Sequence, residues 1–70
     1  MIRAINNLVW RVHSPSLFEL VSEHPERVYV HYEDKRWKIT YIATTGHQVS
    51  CKYNSRTDAM KTIATRSGVI

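Results

Sequence analysis

RVYVHYEDKRWKITYIATTGHQVSCKY, residues 27–53, is the stretch from which the fold is read. Three runs within it, RVYVHY (27–32), WKITYIA (37–43) and QVSCKY (48–53), are rich in β-branched and aromatic residues. Each alternates with a period of two, which sends successive side chains to opposite faces of a strand. The links Glu33-Asp34-Lys35-Arg36 and Thr44-Thr45-Gly46-His47 are short, so the three strands are antiparallel neighbours. Alternation then sorts the faces. Val28, Val30, Tyr32, Ile39, Tyr41, Val49, Cys51 and Tyr53 share an apolar face, with Trp37 at its end. Tyr29, His31, Lys38, Thr40, Ile42, Gln48, Ser50 and Lys52 share the other, which is polar, basic and partly aromatic.

C-terminal to the strands, residues 56 to 66 read as a helix. Asn54 or Ser55 supplies the cap and Asp58 lies in the first turn, where the helix dipole favours an acid. Ala59, Met60, Ile63 and Ala64 form its buried stripe, and Gly68 ends it, with Val69 and Ile70 packing back on the core. On the N-terminal side, residues 15 to 23 also read as a helix. Ser14-Pro15 offers a hydroxyl cap before a proline suited to the first turn, and Ser16 with Glu19 offers a capping box. Leu17, Leu20 and Val21 lie on one face with Phe18 beside them, and Pro25 stops the helix at His24. Residues 2 to 13 fit two patterns. Ile2, Ile5, Val9 and Val12 fit a helical stripe, while Asn6-Asn7 fits a hairpin turn followed by Leu8, Trp10 and Val12 along a strand. The strand is preferred, because the segment carries Val, Trp and Val and ends at Ser14-Pro15.

The expected fold is therefore α+β. A three-stranded antiparallel sheet carries two helices on one face, in the order α-β-β-β-α, with an extra N-terminal strand or helix. Seventy residues make one domain, 1–70, with one core and little area for a deep pocket. Hydrophobic residues at 43% and charged residues at 23% argue against disorder. No apolar stretch approaches the twenty residues of a membrane span, and the first residues lack the pattern of a signal peptide. A single cysteine, Cys51, allows no internal disulfide, which fits a cytoplasmic setting.

Charge is unevenly placed. The formal net charge is +4; residues 27 to 70 hold eight Lys or Arg against three acids, and residues 1 to 26 hold two against three. A basic half attracts polyanions. Nothing points to an enzyme. The histidines at 13, 24, 31 and 47 lack metal-ligand spacing, with a cross-strand approach of His31 to His47 as the one option. Cys51 alternates with core positions and reads as a small buried hydrophobe. There is no Gly-rich phosphate loop and no close acid pair, so no catalytic residue, metal or cofactor is assigned.

Three features suit nucleic acid. The start of the last helix offers free N–H groups beside Ser55, Arg56 and Thr57, with Lys61 one turn on. Lys35 and Arg36 lie in a hairpin link, offset by Glu33 and Asp34. On the open sheet face, Tyr29 and His31 can stack bases while Lys38 and Lys52 meet phosphates. Each has a plainer explanation, namely a capped helix, a charged turn and a half-solvated sheet.

Ser14-Pro15-Ser16-Leu17-Phe18-Glu19-Leu20 resembles the first helix of the double-stranded RNA-binding domain. Ser55-Arg56-Thr57-Asp58-Ala59-Met60-Lys61-Thr62-Ile63-Ala64 is similar to its last helix at Ser55, Ala59 and Ala64, with Arg56 keeping a positive charge. Thr57 and Met60 stand where that family has lysines, and Glu33-Asp34-Lys35-Arg36 replaces its recognition loop. The resemblance implies that Arg56, Thr57 and Lys61 meet phosphates and that Ser16 to Glu19 lie along a minor groove. The strand-strand-strand-helix order also resembles small DNA-binding domains of transcription factors and integrase arms, which use the open sheet face. The rival expectation is a protein-interaction module, such as a phage or mobile-element protein that modulates a host protein. It would present Trp10, Tyr29, Trp37 or an open strand edge, and such an edge also allows a homodimer.

Overall fold

A computed structural model describes residues 1–22, 24 and 26–66. Among these residues six strands and one helix follow in order: β1 Ile2–Ile5, β2 Leu8–Ser14, β3 Leu17–Leu20, β4 Arg27–Glu33, β5 Arg36–Ile42, β6 Gln48–Tyr53 and α1 Arg56–Arg66. The strands form one antiparallel sheet in which every strand pairs with its neighbours in sequence.

This corrects the expected three-stranded sheet with two helices. Strands β4 to β6 and helix α1 lie where their local patterns put them. Leu17–Leu20, expected within a helix, is instead a strand between β2 and β4. The capping groups serve a hairpin: Ser14 Oγ accepts the Ser16 N–H at 3.2 Å, and Pro15 and Ser16 form the connection. A four-residue run such as LFEL satisfies both periods, so it goes to whichever partner is offered. Here β2 and β4 offer two strand edges, and the hydrogen bonds of β3 to both outweigh an isolated turn of helix. The expected stop at Pro25, and the packing of Gly68, Val69 and Ile70, fall outside the described residues.

Residues 2 to 13 form the hairpin. Asn6 and Asn7 both have positive φ, 52° and 66°, as the mirror-image two-residue turn demands, and asparagine tolerates that region. Asp34 and Lys35 repeat the device between β4 and β5, at 54° and 64°. Between β2 and β3 the register shifts from Val12↔Phe18 to Ser14↔Leu17, a bulge at His13.

Helix α1 packs on one face of the sheet, against β4, β5 and β6. Ser55 is its cap, its Oγ accepting the Asp58 N–H at 3.1 Å. Ala59, Met60, Ile63 and Ala64 meet Leu8, Trp10, Phe18, Val28, Val30, Ile39 and Tyr41 in a single cluster, with Ile5, Val12, Leu20, Trp37 and Tyr53 packed around it. Trp10 is wholly buried, so it is a core residue and presents nothing to a partner. Val49 and Tyr32, assigned to the apolar face, lie on it but are 46% and 48% exposed, because one helix does not cover the whole face. Burial raises the Tyr41 phenol above its ordinary pKa, against the opposing charge of Arg66, whose guanidinium lies 4.4 Å over the Tyr41 ring. No helix among the described residues is long and apolar enough to cross a membrane.

Candidate nucleic-acid interface

Among the described residues, no helix lies on the other face of the sheet, and strand register fixes what that face carries. One row runs across all six strands: Ile2, Arg11, Glu19, Tyr29, Thr40, Ser50. A second runs Leu17, His31, Lys38, Lys52. Arg27, Ile42 and Gln48 lie on one side of these rows, and Glu33 and Arg36 on the other. The face thus holds five cations, Arg11, Arg27, Arg36, Lys38 and Lys52, against Glu19 and Glu33. Five against two gives this face a net formal charge of +3.

The polar groups on it are connected. His31 Nε2 lies 2.7 Å from Thr40 Oγ1, and Thr40 Oγ1 lies 3.0 Å from Ser50 Oγ. His31 Nδ1 lies 3.6 Å from Glu33 Oε2. The Lys38 ammonium lies 3.6 Å from Asp34 and 3.9 Å from Glu33. Thr40 is buried within this chain and Ser50 is exposed at its end. An acid, an imidazole and a hydroxyl in sequence invite comparison with a catalytic relay. Thr40 interrupts it: the imidazole touches a buried hydroxyl and not the exposed one. The chain instead fixes the His31 ring on the sheet surface.

A second cluster involves residues that sequence reasoning missed. Glu19 Oε1 accepts from Arg11 at 3.3 Å and lies 2.9 Å from His13 Nε2. The hydrogen bond to His13 lowers the Glu19 carboxyl below its ordinary pKa; partial burial opposes this and the Arg11 charge adds to it. Once 15 to 23 is read as helix, Arg11 and Glu19 have no reason to meet. The signal was available in LVWRVHS and LFEL, where both residues fall on the polar phase of a strand alternation.

The structure divides the residues expected to contact nucleic acid. Lys38 and Lys52 are on the open face. Lys35 and Arg36 are at its rim, in and beside the β4–β5 turn. Arg56, Thr57 and Lys61 are on α1, which covers the opposite face. The Arg56 guanidinium there lies 5.2 Å from the centre of the Phe18 ring. Lys52 and Lys61 line a common groove between β6 and α1, so the β6 edge is where the two sets come nearest. Tyr29 is half-buried on the open face, and Trp37 half-buried on the helix side between Phe18 and the exposed Tyr32. His31 and His47 do not meet, since they flank opposite ends of β5. Cys51 is half-buried.

No family model matches the chain, and neither a curated protein nor a solved structure matches it.

Proposed function

We propose that this protein binds nucleic acid through the helix-free face of its sheet. The observation that carries this reading is the joint placement of Arg11, Arg27, Lys38 and Lys52 around Tyr29 and His31 on one uncovered surface. Cations meet phosphates, an aromatic ring offers a base its π-face, and Ser50 and His31 offer hydrogen bonds. The helix-first alternative, in which a first helix enters a minor groove, loses that element, because Leu17–Leu20 is β3.

Fluorescence anisotropy of labelled oligonucleotides at two salt concentrations tests the reading. Affinity should fall as salt rises, and Lys52→Ala should flatten the logarithmic salt slope by about 0.7–0.9, the loss of one phosphate contact. Lys61→Ala, on the helix, should leave the slope unchanged. A slope that responds to Lys61 and not to Lys52 would move the contact to α1.

A second reading rests on one corner of the same face. Ile2, Val9 and Val21 are 55%, 36% and 44% exposed, and β1 is a sheet edge carrying no charge on its open-face residues Ile2 and Ala4. Apolar residues on an unprotected edge suit a protein partner or a second copy of the chain. Sedimentation of the purified chain across concentrations tests for the second copy. An Ile2→Lys variant that stays monomeric where the parent associates would support it.

A further inference from the structure

We infer that the form of nucleic acid bound is a single strand, laid across β4 to β6 with one base stacked on Tyr29; this rests on the reading of the open face as the nucleic-acid surface. Width is the first argument. Six strands at a spacing of about 4.8 Å make a surface roughly 24 Å across. The major groove of B-DNA is about 12 Å wide and admits a helix or a two-stranded ribbon. The major groove of an RNA duplex is deep and too narrow for side chains to read. The open face therefore cannot enter a groove as one body, and a duplex would touch it only along its phosphate ridges, leaving Tyr29 without a base.

The placement of chemistry is the second argument. Arg27, Tyr29 and His31 follow one another on the open side of β4, about 6.7 Å apart at two residues per step. Lys38 and Lys52 continue the His31 row across β5 and β6. Cations thus stand at both ends of a short path whose middle is a ring and an imidazole, with the exposed hydroxyl of Ser50 two residues from Lys52 on β6. This order matches an extended strand, in which phosphates lie along the backbone and an unstacked base turns its face to an aromatic and its edge to hydrogen-bonding groups. Glu19, beside Tyr29, does not break the path, because Arg11 and His13 both hold its carboxylate. Lys38 is held near the face by Asp34 and Glu33, whereas among the described residues Lys52 makes no ion pair, so Lys52 is its more available cation.

The test uses the whole chain and three probes: a labelled 12-nucleotide single-stranded DNA, its RNA equivalent, and the DNA annealed to its complement, all at low salt. At least one single strand should bind about tenfold or more tighter than the duplex, and Tyr29→Ala should weaken it about fivefold or more, the low end of the effect of losing one stacked base. Tyr29→Phe, which keeps the ring, should restore most of that loss. Circular dichroism checks that each variant keeps its sheet. Equal or tighter binding of the duplex by the parent chain overturns the single-strand inference and leaves the nucleic-acid reading standing. So does a folded Tyr29→Ala variant that binds as the parent does. Failure of all three probes to bind at low salt overturns both.

Discussion

Glu19 shows how much a single side chain depends on which element it belongs to. On a helix at 15 to 23 it would be a solvated acid. On β3 it lies opposite Arg11 on β2 and Tyr29 on β4, with His13 reaching it from the bulge. Those partners hold its carboxyl below the ordinary value, His13 first. The sign of the consequence follows from linkage. A carboxyl with a lower pKa in the folded state adds stability above its unfolded pKa of about 4.3, and that stability disappears as pH falls through the folded value. The pair is partly exposed, so its contribution at neutral pH should be under about 1 kcal/mol. We expect Glu19→Gln to lose less stability than the parent between neutral pH and pH about 3, read as urea midpoints at the two values. Identical shifts in both proteins would mean that Glu19 is not held as described. Trp10 illustrates the reverse: an amphipathic aromatic suited to an interface on sequence grounds is wholly buried, because strand alternation puts it in phase with Leu8 on the helix side.

At the scale of elements, the two tight hairpins set the registers on which the open face depends. A two-residue turn with both φ values positive matches the twist of the strands it joins, and a slip of one residue would send Lys38 and Lys52 to the core side. Asn6-Asn7 meets the requirement with residues that tolerate the left-handed region. Asp34-Lys35 does not fully meet it, since Lys35 sits at φ 64° with a side chain that disfavours that conformation. The left-handed region costs a non-glycine residue about 1–2 kcal/mol, and glycine returns about 0.5–1 of that as lost chain entropy. Lys35→Gly should therefore stabilise the protein by about 0.5–1 kcal/mol in thermal or urea unfolding. The same variant separates backbone from charge: if Lys35 also contacts phosphate at the rim, stability rises while affinity for nucleic acid falls. Destabilisation by Lys35→Gly would show that the turn is not strained at that position.

For the whole molecule, one helix and one face of a six-stranded sheet make the core among the described residues, so each large buried residue carries a sizeable share of stability. A chain of this length has a total of roughly 3.5–10 kcal/mol at the usual value per residue. Phe18→Ala removes a buried ring that packs against Trp37 and lies under Arg56, and should cost about 3–5 kcal/mol. The variant should be largely unfolded or sharply lowered in melting temperature. A small effect would mean that Phe18 lies at the margin of the core, as it would beside the apolar stripe of the helix expected at 15 to 23. Local pattern alone was enough for the strands between 27 and 53, their face assignments and the helix at 56–66, because each is long enough for its own period to dominate and is bounded by turn or capping residues. It also placed Tyr29, His31, Lys38 and Lys52 together, since alternation is a local property. That Leu17–Leu20 is a strand depends on its neighbours in the sheet. In that short run, local propensity is weaker than two flanking strands whose hydrogen-bonding groups need a partner, and filling the gap widened the open face and brought Arg11 onto it.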